Sequence, residues 1–109
     1  MSVQLLYVTC SGMEEARRIA ALLLEEGRIA CANILPGMRA LYRWEGQLRE
    51  DEECVLLLKT RSELAEEVRE AVVRAHSYDV PAVLVLDVAG GYPPFLEWVR
   101  EQTCGKNSE

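Results

Sequence analysis

Apolar and polar side chains alternate along residues 38–44, with Met38, Ala40, Tyr42 and Trp44 on one side and Arg39, Leu41 and Arg43 on the other. That period of two predicts a half-buried strand. An apolar run at 29–35 precedes it, and Pro36-Gly37 lies between the two. Proline cannot donate to a sheet ladder and glycine permits unusual backbone, so a kink or bulge is expected there. Gly46 permits a turn, and the acidic segment 50–53 leads into an apolar strand at 54–58. Residues 29–60 therefore predict a long, bent β-hairpin, longer than a 109-residue chain needs for its own core.

The flanking segments supply the rest of a fold. Residues 3–9 predict a first strand that looks buried on both faces. Ser11 and Glu14 have capping-box spacing ahead of a helix whose apolar face holds Ala16, Ile19, Ala20 and Leu23, and Gly27 is placed to stop it. Thr60 and Glu63 repeat the capping-box spacing before a second helix with Leu64, Val68, Ala71, Val72 and Ala75 on one face. After a connector at 76–81, residues 83–88 predict a fourth strand, ended by Gly90-Gly91. Pro93-Pro94 opens a third helix carrying Phe95, Trp98, Val99 and Gln102.

The order β-α-β-β-α-β plus a terminal helix predicts an α+β, ferredoxin-like sandwich. One domain spans residues 1–103, with a polar tail at 104–109. Two helices cover only one face of such a sheet. The uncovered face keeps half the side chains of very apolar strands, so a homo-oligomer is expected, with the hairpin as the arm that reaches a neighbour by edge pairing.

Composition narrows the function. A net charge of −6 and the lack of a basic stripe argue against nucleic acid as a partner. No apolar run has the length of a membrane span, and no signal-peptide pattern opens the chain. Cys10, Cys31, Cys54 and Cys104 form no CxxC pair, which disfavours a structural zinc site. The expectation is a reduced, cytoplasmic protein. With one histidine, no nucleophile–base set and no phosphate-cradling loop, a non-enzymatic role is expected. Acylphosphatase is the one enzyme class that fold analogy alone would raise.

Two constellations carry candidate chemistry. Cys10 ends a strand just before a helix, a position that can lower a thiol pKa and present a thiolate. Thiolate suits Cu(I), and the imidazole of His76 suits Cu(II) or Zn(II). The alternative is a packed thiol and a hydrogen-bonded histidine. Tyr42, Trp44, Glu53, Lys59 and Tyr78 are placed to line a polar cleft between subunits. The alternative there is interface packing by the aromatics and an ordinary ion pair between Glu53 and Lys59. Asn33 is expected to satisfy backbone groups near the Pro36-Gly37 kink. Glu25-Glu26 and Glu66-Glu67 read as solvated helix faces, and 50–53 as an acidic run that is solvated or attracts hard cations.

Several blocks carry a family resemblance: RIACANILPG at 28–37, YRWEG at 42–46, ECVLLLKT at 53–60, HSYDVP at 76–81 and FLEWV at 95–99. In this order and spacing, over about residues 3–102, the chain resembles CutA, the divalent-ion tolerance family. The resemblance implies a ferredoxin-like protomer in a tight homotrimer joined at strand edges. It also implies a role in divalent-metal tolerance, with copper, Cu(I) or Cu(II), held by Cys10 and His76 and supported by Glu53 or Tyr78. A bacterial copper-binding member of the family uses a Cys after the first strand and two adjacent His. Cys10 and His76 match two of those positions, and Ala75 occupies the third. Ser77 replaces the family's usual Pro, and Ala82 replaces a Glu that faces the intersubunit cleft. Two further readings are a small-molecule-sensing signalling trimer with its ligand in that cleft, and a scaffold whose partner supplies the function.

Overall fold

The computed structural model describes residues 2–103. The predicted polar tail at 104–109, with Cys104, lies outside the described residues. The elements are β1 (Val3–Cys10), α1 (Met13–Glu25), β2 (Cys31–Trp44), β3 (Gln47–Arg61), α2 (Ser62–Ala75), β4 (Val83–Asp87) and α3 (Pro93–Gln102). The strands form one antiparallel sheet in the order β2-β3-β1-β4.

The two apolar runs on either side of Pro36-Gly37 make one continuous strand, β2. The expected irregularity is present as a register shift between Leu35 and Met38, where Gly37 takes φ +76°. The shift reverses which face alternate side chains take: Leu35 pairs with Val55, whereas Met38 pairs with Glu53. The turn is tight, with Trp44 paired to Gln47 and both intervening residues at positive φ (Glu45 51°, Gly46 78°). This is the twist-matched arrangement for a two-residue hairpin loop. The third strand is longer than expected, because residues 50–53 lie inside β3 rather than leading into it.

β1 pairs with β3 only from Cys54 to Arg61, so the distal hairpin is a two-stranded ribbon standing beyond the sheet. It gives the molecule its long axis of 48 Å against 26 and 21 Å. Arg39 on one face of this ribbon reaches Glu50 (3.1 Å) and Glu52 (3.4 Å). The acidic run is thereby divided. Glu50 and Glu52 meet Arg39, while Asp51 and Glu53 lie opposite Ala40 and Met38 on the other face.

The main core lies between α1, α2 and one sheet face, built from Leu6, Val8, Ile19, Leu23, Leu56, Leu58, Val68 and Val72. Ala65, absent from the predicted α2 face, is buried there too. β1 is not buried on both faces: Leu6, Val8 and Cys10 are buried, and Leu5, Tyr7 and Thr9 only partly. On that second face α3 makes a small separate core from Val3, Ala30 and Val99. The rest of that face stays open, with Leu35 49 %, Leu84 59 % and Leu86 43 % exposed.

Neither predicted capping box forms. The N-caps are Gly12 and Arg61, without side-chain capping bonds. Thr60 is instead buried in β3, where its hydroxyl donates to the Arg28 carbonyl at 2.6 Å. At α1 the reciprocal partner sits one residue later than expected. Glu15 accepts from the backbone N–H and the hydroxyl of Ser11, both at 2.9 Å. The C-terminus of α1 ends as expected: Gly27 donates to Leu24 (3.1 Å) and Arg28 to Leu23 (3.0 Å), the paired bonds of a Schellman motif.

Candidate functional site

The end of β1, the start of α1 and the connector after α2 meet at one point. Cys10 ends β1, Glu15 lies in the first turns of α1, and His76 follows Ala75. All three are buried, and their ligand-type atoms lie within 4.8 Å of one another. Sequence reasoning brought together Cys10 and His76 and missed Glu15. The signal for Glu15 was its place three residues beyond Gly12, at the position from which a carboxylate reaches back over a helix start.

Each imidazole nitrogen and carboxylate oxygen in this cluster already has a protein partner. The Tyr78 backbone N–H donates to His76 Nδ1 at 3.1 Å, which leaves the ring proton on Nε2, donated to the Thr9 carbonyl at 2.8 Å. Glu15 accepts from Ser11 and, through Oε2, from the Ser77 backbone N–H at 2.7 Å. Burial alone would raise the Glu15 carboxyl, but hydrogen bonds from Ser11 and Ser77 outweigh it and hold the group at about 2. Burial, with the nearby Glu15 charge, pushes the Cys10 thiol up to about 12.

The expectation of a Cys10 thiolate is therefore corrected. The helix that should lower its pKa carries Glu15 beside it, and water does not reach the sulfur. Neither imidazole nitrogen offers a lone pair, and the thiol keeps its proton. The cluster gathers three ligand-type atoms, and as arranged here its nitrogens and carboxylate oxygens are taken up by hydrogen bonds within the protein. It is a latch that ties the connector to the end of β1 and the start of α1.

The latch positions a second site. Tyr78 stacks at a tilt on His76, with ring centroids 4.8 Å apart, and its hydroxyl donates to Glu53 at 2.7 Å. On the neighbouring strand Tyr42 donates to Asp51. Both carboxylates lie on the open sheet face and hold their phenols protonated: burial and then the Glu53 bond raise Tyr78, and the Asp51 bond raises Tyr42. These residues, with Trp44, Arg49 and Asp79, line a groove of about 730 Å³ on that face. Ala82 lies in the same lining.

Four of the five predicted cleft residues, Tyr42, Trp44, Glu53 and Tyr78, meet there. Lys59 does not. It pairs across the sheet with Leu5 and Cys31, about 20 Å along β3 from Glu53 at ~3.3 Å per residue, and donates to Asn33. The expected Glu53–Lys59 ion pair is replaced by Glu53–Tyr78 and Lys59–Asn33. Asn33 likewise serves Lys59 rather than the kink. Asp51 was legible only through parity, as the residue two before Glu53 on the same strand face. Asp79 arrives from the connector, which no periodicity describes.

No helix among the described residues is long and apolar enough to cross a membrane. Comparison with known proteins places the chain in context. The Thermus thermophilus "Divalent-cation tolerance protein CutA" is 40% identical over 100 residues, covering 92% of this chain and 97% of the relative. The Pyrococcus horikoshii protein of the same description is 42% identical over 99 residues, covering 91% and 96%. Against "Protein CutA, chloroplastic" of Arabidopsis thaliana the identity is 40%, and the chain spans about half (53%) of that relative's length. The crystal structure of CutA1 from Oryza sativa superposes with a TM-score of 0.91 at 38% identity, covering 94% of both chains. That of the divalent ion tolerance protein CutA1 from Ehrlichia chaffeensis also gives 0.91, at 35% identity, covering 94% and 96%. Residues 4–102 match the family described as CutA1 divalent ion tolerance protein. The chain belongs to that family.

Proposed function

We propose that this protein is a non-enzymatic, cytoplasmic binding protein of divalent-metal tolerance. It works as a homotrimer of ferredoxin-like protomers, with its ligand site in the open-face groove where subunits meet. One observation carries the reading: Leu35, Leu84 and Leu86 leave the open face apolar while the groove beside them gathers aromatic and carboxylate side chains. Exposed apolar surface of this kind supports an association site. The distal ribbon of β2 and β3, which lacks a third strand, has free backbone edges to offer a neighbour. Sedimentation velocity tests the assembly. The wild-type protein is expected at three times the chain mass, and Leu84→Lys with Leu86→Lys at one. A wild-type monomer overturns the reading.

A second reading, copper held by Cys10 and His76, has one observation in its favour, the proximity of the donors within 4.8 Å. It requires the Tyr78 N–H to leave Nδ1 and the Cys10 proton to be lost. Copper titration of the protein and of a Cys10→Ala, His76→Gln variant separates the two readings.

A further inference from the structure

We propose that Cys10 and Cys54 form a reversible dithiol switch, closed to a disulfide by peroxide and coupled to the connector at 76–81. The inference does not depend on the groove being a ligand site. The two residues are partners on the last rung between β1 and β3. Both are free, and both are buried, at 0 % and 4 % exposure. Strand parity puts them on one sheet face with Leu6, Val8, Leu56 and Leu58 of the main core. That face is covered by α1 and α2, so the pair lies away from the open face.

Rungs of an antiparallel pair alternate between hydrogen-bonded and non-hydrogen-bonded. The Ser62 N–H donates to the Ser2 carbonyl at 2.8 Å, and Cys10 and Cys54 share that rung's parity through an unbroken register. Opposite Cα atoms on such a rung lie about 5.5 Å apart, within the range that disulfides span most often. Cβ atoms there lie about 5.5 Å apart, against ~3.8 Å in a relaxed disulfide. Closing the bond therefore draws the rung together and leaves the bond strained, the kind that small thiols reduce again. Burial and the Glu15 charge push the Cys10 thiol up to about 12, which keeps the pair reduced at rest.

The step balances with peroxide as the oxidant. One sulfur attacks an oxygen of hydrogen peroxide, the O–O bond breaks, and a sulfenic acid and one water result. The second sulfur then displaces hydroxide from the first, and the hydroxide takes its proton as a second water. Two thiols lose two electrons and peroxide gains them.

The rung adjoins both ends of the latch. Cys10 follows Thr9, whose carbonyl holds His76, and its sulfur lies within 4.8 Å of ligand-type atoms of Glu15 and His76. Cys54 follows Glu53, which holds Tyr78. A bond between the sulfurs turns Cys10 away from Glu15 and His76 and shifts both neighbours. The N–H bonds of Ser77 and Tyr78 to Glu15 and His76 then loosen.

Peroxide treatment of the intact protein, followed by non-reducing peptide mass spectrometry and amide hydrogen exchange, tests this. A Cys10–Cys54 cross-link within one chain is expected, reversed by dithiothreitol. The Ser77 and Tyr78 amides should exchange at least tenfold faster in the oxidised form and return to the slow rate on reduction. Cys54→Ala should keep slow exchange after peroxide, with thermal melting to confirm that it is folded. No cross-link, a cross-link that dithiothreitol leaves intact, sulfinic acid at either residue in its place, or exchange that oxidation does not change overturns the inference.

Discussion

The backbone N–H of Tyr78 donates to Nδ1 of His76 at 3.1 Å, and the two rings pack 4.8 Å apart. Through this pair the buried latch sets the position of a groove residue. His76 is held by Thr9, and Tyr78 in turn holds Glu53. The sole histidine of the chain is thus linked to the groove through Tyr78.

Glu15 makes the fold acid-sensitive. Its carboxyl sits at about 2 in the folded protein against an ordinary 4.5, a depressed value. The stabilisation is therefore fully present above the unfolded-state value and is lost as pH falls from about 5 towards 2. It amounts to about 3 kcal/mol at neutral pH. Urea denaturation across this range should show the loss, and Glu15→Gln should flatten the slope while lowering stability at pH 7.

Ser77 supplies an N–H that proline lacks, and that N–H meets Glu15 at 2.7 Å. Ser77→Pro removes a hydrogen bond to a charged group, worth about 1.5–3 kcal/mol. His76 already has the extended backbone (φ −81°, ψ 148°) that a following proline requires. The stiffer unfolded chain returns only about 0.4–1 kcal/mol. The variant is expected to melt lower, by about 4–8 °C per kcal/mol lost. Unchanged or higher melting would contradict the role given to Ser77.

Cys10 and Cys54 are buried opposite one another on β1 and β3, and the Cys10 thiol lies at about 12. Thiolate is the reactive form. At pH 8 under native conditions, iodoacetamide should leave both unmodified while the partly exposed Cys31 reacts, as peptide mass spectrometry would report. Rapid alkylation of Cys10 would show that the latch opens.

Gly37 meets nothing within 4 Å where a side chain would begin, yet its φ is +76°. Gly37→Ala therefore tests backbone strain alone and should cost about 1–2 kcal/mol in urea denaturation. A neutral substitution would show that the register shift between Leu35 and Met38 tolerates another backbone conformation.

Much of the fold was legible because periodicity reports burial. The period of two at 38–44, the helix faces of Ala16–Ile19–Leu23 and Val68–Val72, and the stops at Gly27 and Gly46 each have a local physical cause. Elements whose environment comes from distant sequence were misread. Thr60 looked like a helix cap, but its hydroxyl is claimed by the carbonyl of Arg28, in the connection between α1 and β2. Lys59 looked like a cleft residue, but strand length carries it away from Glu53. Cys10 looked like a thiolate because a helix N-terminus follows, and burial of the sulfur, with the Glu15 carboxylate at that same terminus, reverses the effect. Cys10 and His76 were correctly paired in space, while their chemistry depended on Tyr78, Ser77 and Thr9, whose backbone atoms no residue pattern announces.

Competition titration with Cu(I) and Cu(II), on the reduced protein and on the Cys10→Ala, His76→Gln variant, tests the central claim most directly. With the cluster a hydrogen-bonded latch and the groove the binding site, both proteins should bind copper weakly and equally. Tight binding at a fixed ratio per chain, lost in a variant that still folds, would make Cys10 and His76 a copper site and contradict the account.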